Sequence, residues 1–125
     1  MIAGVGTDIA AVARLGQLYD RHGERAVEKL LAPAERADFE KTKDPARFLA
    51  KRFAAKEAFG KALGIGVATP ATLPNIAVVH DELGKPSFAY APELAQLLDQ
   101  RGLIAHLSIS DEKEFALAFV VLEHA

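Results

Sequence analysis

This 125-residue sequence predicts an α+β fold, on three observations. Helical periodicity fills the first half of the chain, and apolar–polar alternation fills the last quarter. The helical half ends in one long segment rich in helix formers, which then has a sheet to pack against. The expected architecture is a small single domain, residues 1–125, with a long central helix on an antiparallel sheet.

Taken in order, "IAGVGTD" (2–8) reads as a short buried strand whose glycines let another backbone come close. "AAVARLGQLYDRHG", "ERAVEKLL" and "PAERADFEK" read as successive helices. The central helix runs from Pro45, suited to a first turn, to Gly64, suited to a stop. "GIGVATPATLPN" is a breaker-rich loop, of a length that often serves function. "IAVVHDELGKPSFAY" predicts two strands around a Leu-Gly-Lys turn, and "PELAQLLDQRG" an amphipathic helix between Pro and Gly. "LIAHLSIS" and "FALAFVVLE" alternate as a closing antiparallel pair around "DEKE".

The central segment "RFAAKEAFGKALG" (52–64) poses the functional question. At about 100° per residue, Phe48, Leu49, Phe53, Phe59 and Leu63 gather on one arc, and five alanines gather on roughly the opposite one. Such a helix packs on both sides. Arg52 and Lys56 nevertheless fall in the bulky arc, while Glu57 and Lys61 lie on a seam between the arcs. Two readings stand: long stems that snorkel out with a Glu57–Lys61 pair, or an anion site whose carboxylate holds a metal.

Composition narrows the classes. A net charge of −2 leaves no global basic field for nucleic acid. There are no cysteines for disulfides or thiolate metal sites, and a reducing compartment fits. The four histidines include no close pair at metal-ligand spacing. No apolar run approaches the roughly 20 residues of a membrane span, and the N-terminus lacks signal-peptide character. A soluble, cytoplasmic protein with no membrane partner is expected.

"GVGTDI" near the start, "RFAAKEAFGKALG" some 45 residues on, "DELGKP" and "AHLSIS" together resemble the short-type 4′-phosphopantetheinyl transferase family, the holo-[acyl-carrier-protein] synthases. The likeness runs essentially end to end. It implies the 4′-phosphopantetheinyl transferase fold and magnesium-dependent (or manganese-dependent) transfer of the phosphopantetheine arm of coenzyme A to a serine of apo-acyl carrier protein. Adenosine 3′,5′-bisphosphate is released, and the product supports fatty acid biosynthesis. It further implies a homotrimer with coenzyme A held between subunits.

The resemblance assigns residues. Asp8 and Glu57 become metal ligands; alone, Asp8 also reads as a helix cap and Glu57 as an ion-pair partner. Magnesium, taking six hard oxygens, would complete its set with water and the pyrophosphate. The proton acceptor stays open between Glu57 and a metal-held water. Lys61 would offset charge on the leaving phosphate. Arg52 and Lys56 gain coenzyme A phosphates, with Arg52 on the ribose 3′-phosphate; Lys43 and Arg47 read either as helpers there or as solvated loop charges, and for Arg47 the second reading weighs more. His106 and Ser108, sharing a strand face with Ser110, would contact coenzyme A across a subunit boundary. Many relatives carry His where this chain has Asp111, so nothing is carried over there. Gly64, with Gly66, either admits the nucleotide backbone-close or simply ends the helix.

On the first helix Arg14, Arg21 and Arg25 form a basic edge beside His22, with Leu18 as an apolar anchor. An acidic carrier protein would be steered there. A magnesium-dependent pyrophosphate hydrolase and a coenzyme A-binding sensor are the rival readings.

Overall fold

Two glycines decide how the helix and sheet meet. In this computed structural model, which describes residues 1–125, strand β1 (Ile2–Ala11) lies directly under helix α4 (Pro45–Leu63). A Cβ on Gly4 would stand 2.0 Å from the Ala62 carbonyl oxygen, and one on Gly6 2.0 Å from that of Ala58. The close approach expected of "GVGTD" is real, and its other half is the methyl arc of α4. Ala54, Ala55 and Ala58 are wholly buried, and Ala62 nearly so.

β1 is an edge of a three-stranded antiparallel sheet, ordered β1, β5 (Phe115–His124), β4 (Leu103–Asp111). β1 outruns the predicted 2–8 because Ile9, Ala10 and Ala11 keep pairing with Leu117, Ala116 and Phe115. Helix α1 (Val12–His22) therefore starts later than expected, with Ala11 as a cap that offers no side-chain hydrogen bond. Asp8 lies inside the strand, which removes its reading as a helix cap.

Helix α2 (Glu24–Leu30) follows. The single helix expected over 33–41 opens instead as a 3-10 turn, Pro33–Glu35, before α3 (Arg36–Lys41). The Glu35 carboxylate accepts the Ala32 N–H at 2.8 Å and tightens that turn. A hairpin, β2 (Ile76–His80) with β3 (Pro86–Tyr90), and helix α5 (Pro92–Arg101) complete the fold as predicted.

The bulky arc of α4 packs away from the sheet. Phe59 meets Phe88 and Tyr90 of the hairpin at ring distances of 5.2 and 5.5 Å. Phe48 meets Phe39, which meets Tyr19, each at 5.5 Å. Burial of α4 on both arcs joins 23 residues into one hydrophobic core, centred on this helix.

Strand alternation sorts the sheet into two faces. Gly6, Asp8 and Ala10 pair with Val120, Ala118 and Ala116, and this face meets α4. The other face carries Val5, Ile9, Ile104, Phe115, Leu117 and Phe119, each between 42% and 61% exposed. Contiguous aromatic and aliphatic surface of this kind marks an interaction site.

Candidate active site

The tight β1–α4 seam brings Asp8 against the middle of α4. Lys61 Nζ donates to Asp8 Oδ1 at 3.2 Å and to the Thr7 carbonyl at 2.9 Å. Glu57 stands one turn before Lys61. Partial burial first, and the Asp8 charge second, push its carboxyl above the ordinary range, against the opposing pull of Lys61 and Arg14. Arg14 reaches this group from α1, its guanidinium 5.7 Å from the Phe53 ring centre.

Two carboxylates beside an open surface, with the Asp8 charge adding to the cost of ionising Glu57, can serve as a donor set for a hard divalent cation. No cluster of three or more His, Cys, Asp or Glu side chains exists that could enclose a metal within the chain. A cation held by Asp8 and Glu57 would draw its remaining oxygens from water and substrate, the usual habit of magnesium. Both residues fit the role the resemblance gives them.

Arg52 and Lys56 are buried, as their place in the bulky arc required, but their partner is internal. Glu35, 1% exposed, lies between them. Lys56 Nζ donates to Glu35 Oε1 at 2.5 Å, to the Leu30 carbonyl at 2.8 Å and to the Leu73 carbonyl at 3.0 Å. All three ammonium protons are taken, leaving none for the coenzyme A phosphate assigned to Lys56 from the resemblance. Burial outweighs Glu35 and pulls this lysine down to about 8.

Arg52 differs. Its Nη1 donates to Glu35 Oε2 at 3.0 Å and to the Val78 carbonyl at 2.7 Å, and its guanidinium stacks 4.3 Å from the centre of the Phe48 ring. The same side chain also lines a cleft of about 130 Å³ with Arg47, Lys51, Phe48 and His80. Four groups able to carry positive charge meet there against one carboxylate, Asp44, so the cleft suits an anion. His80 is pushed below its ordinary value, by burial and then by Arg52 and Lys51. Lys51, His80 and Glu35 were absent from the sequence reading. Lys51 had a signal, one turn after Arg47 on the same helix face; the other two reach the site only through tertiary folding.

Arg47 does more than line the cleft. It binds Asp44 and Asp111 at 3.2 and 3.0 Å and donates to the Glu112 and Lys113 carbonyls, tying the start of α4 to the β4–β5 turn. Asp111 therefore has a structural task here. Lys43 is exposed and is not among the cleft-lining side chains. Gly64 ends α4 in the left-handed region at φ 89°, its N–H donating to the Gly60 and Lys61 carbonyls.

His106, Ser108 and Ser110 pair with Val121, Phe119 and Leu117, on the outer face of the sheet. His106 Nε2 lies 2.6 Å from Glu123 Oε1. These residues stand on β4, at the opposite edge and on the opposite face from Asp8. Within one chain, the fold keeps the two sets apart.

Arg14, Arg21 and Arg25 are exposed and Leu18 is half-buried. Leu18 and Arg25 line a groove of about 410 Å³ whose floor includes Leu30, Phe53 and Leu73 and whose rim carries His22 and Lys29. The groove is apolar below and basic above. Phe53 joins it to Arg14 and so to the Asp8–Glu57 pair.

Comparison with known proteins converges on one family. A family profile described as the 4′-phosphopantetheinyl transferase superfamily matches residues 4–120. The chain is 63% identical, over the full length of both, to a holo-[acyl-carrier-protein] synthase of Dechloromonas aromatica (strain RCB). It is similar to the crystal structure of the Neisseria meningitidis holo-[acyl-carrier-protein] synthase, with a TM-score of 0.95 and 44% identity, covering 98% of this chain and 99% of that one. It also matches the Bacillus anthracis (strain Ames) enzyme in complex with CoA (3′,5′-ADP), with a TM-score of 0.83 and 37% identity, covering 100% and 99%.

Proposed function

Since the chain belongs to the 4′-phosphopantetheinyl transferase superfamily, we propose that it is a holo-[acyl-carrier-protein] synthase, moving phosphopantetheine from coenzyme A to a serine of apo-acyl carrier protein. The observation that carries this reading is the meeting of Asp8, Glu57 and Lys61 across the glycine seam.

Asp8 and Glu57 would hold magnesium or manganese, which when bound neutralises pyrophosphate charge and polarises the phosphorus. The serine Oγ attacks the phosphorus bearing the pantetheine arm, and the P–O bond to adenosine 3′,5′-bisphosphate breaks. The hydroxyl proton passes to Glu57 or to a water held beside it. Lys61, held by Asp8 and the Thr7 carbonyl, offsets charge on the departing phosphate. Arg14, Arg21 and Arg25 draw in the acidic carrier, and Leu18 anchors it over the apolar groove.

The Arg47–Lys51–Arg52–His80 cleft receives the ribose 3′-phosphate, with Arg52 its principal ligand. His80, depressed and neutral in the free cleft at pH 7, takes up a proton when the anion enters. Below its free pKa the ring is charged with or without ligand, and above its bound pKa it is neutral in both. Between the two, affinity falls as pH rises. KM for coenzyme A should therefore climb as pH rises from below the ordinary histidine range, and His80→Gln should flatten that climb. An unaltered pH profile in the variant would remove His80 from the site.

The active assembly is a homotrimer in the cytoplasm, its subunits joined through the outer sheet face. Two observations support this. That face leaves Ile9, Leu117 and Phe119 half-exposed, and it carries His106 and Ser108, which lie apart from Asp8 within one chain. No helix is long and apolar enough to cross a membrane. Phe119→Asp should yield monomers by light scattering and lose transfer activity while keeping its helical circular dichroism. A trimeric variant would contradict the interface.

The deciding experiment is the intact mass of apo-acyl carrier protein after incubation with this protein, coenzyme A and magnesium. A gain of one phosphopantetheine, abolished by chelator, is expected. Free phosphopantetheine with an unmodified carrier would establish hydrolysis instead, and binding without turnover would establish a sensor.

A further inference from the structure

The carboxylate of Glu35 has no place in the chemistry above, yet it is among the most buried charged groups of the molecule. Buried charges are expensive, and four hydrogen bonds are spent on this one. Oε1 accepts from Ala32 N at 2.8 Å and from Lys56 Nζ; Oε2 accepts from Arg52 Nη1 and from Val78 N, both at 3.0 Å. The carboxylate thus fixes one end of Arg52 and, through Val78, the strand that ends at His80.

We infer that Glu35 is a positioning residue for phosphate selectivity: it aims Arg52, and through β2 it aims His80, at the basic cleft. The geometry is specific. The Arg52 fork is clamped at Nη1 by Glu35 and the Val78 carbonyl, and its plane is held over the Phe48 ring. A guanidinium held at one end and on one face has few orientations left, and its remaining N–H groups serve the cleft it lines. Lys56 supports Glu35 from the other side and prevents it from following Arg52 outward. Pre-organisation of this kind lowers the cost of ordering a long side chain when the anion arrives.

This inference rests on the reading of the cleft as the ribose 3′-phosphate subsite, and its test separates the two. Coenzyme A and 3′-dephospho-coenzyme A are compared as donors, and selectivity is the ratio of their kcat/KM values. Glu35→Gln keeps the shape of the side chain and should reduce the ratio about tenfold or more. The loss should fall on KM for coenzyme A, leaving KM for the dephospho donor and both kcat values nearly unchanged. A purely structural Glu35 would weaken both donors alike and leave the ratio intact, which would overturn the inference. Arg52→Gln is the parallel arm. If it leaves the ratio unchanged, the subsite reading itself fails; if it collapses the ratio while Glu35→Gln does not, only the positioning role fails. Should Glu35→Gln not fold, Glu35→Gln with Lys56→Met removes the lysine charge left unpaired and is held to the same ratio.

Discussion

Glu57→Gln should lower kcat for phosphopantetheine transfer by at least about a hundredfold, with the protein still folded. Glu57 lies at the surface end of the seam, only partly buried, so the amide fits where the carboxylate stood. What disappears is charge. Asp8 then faces Lys61 without a second carboxylate, and the pair that would hold a divalent cation becomes a single ligand. The loss should shrink at high magnesium, because a weakened site is partly refilled by mass action. Asp8→Asn should behave alike and also free Lys61 from its ion pair. Intact-mass kinetics over a magnesium series test both. Full activity of Glu57→Gln at saturating magnesium would end the assignment of Glu57 as a ligand.

Gly6→Ala should be the most damaging single methyl in the molecule. Its Cβ would lie 2.0 Å from the Ala58 carbonyl oxygen and 2.7 Å from the Ala62 nitrogen, both backbone atoms of α4. No side chain can turn aside to make room, so the helix must lift from the sheet. Overpacking of this kind costs about 3 kcal/mol or more, a large share of the stability of a domain this size. Gly102→Ala is the control. Its φ of 63° is unfavourable for alanine, yet nothing lies within 4 Å of the added methyl, so the cost should stay near 1 kcal/mol. Urea unfolding of the two variants checks the contrast. Lifting α4 also parts Asp8 from Glu57, so any Gly6→Ala protein that folds should have lost transfer activity as well.

The seam was legible because it is written locally, as glycines on a strand and alanines on one helix arc. The abnormal charges of α4 were legible too, since periodicity alone places Arg52 and Lys56 among bulky apolar neighbours. Their partner was not. Glu35 sits in a segment that reads as an ordinary polar helix, and it meets Lys56 only because the 3-10 turn at Pro33–Glu35 points it inward. His80 was hidden for the same reason, being a strand-end residue whose importance comes from where Arg52 lies. The extra residues of β1 changed the reading of Asp8. A carboxylate before a helix resembles a cap until the strand is seen to run three residues further.

The division of the sheet into two faces carries a genetic consequence. Asp8 looks inward from one edge and His106 outward from the other. In the proposed trimer each site borrows its histidine from a neighbouring subunit. An Asp8→Asn chain and a His106→Ala chain, each crippled alone, would then complement one another when co-assembled. Random mixing would pair two intact halves at about one boundary in four, and a cell carrying both alleles would recover that fraction of activity.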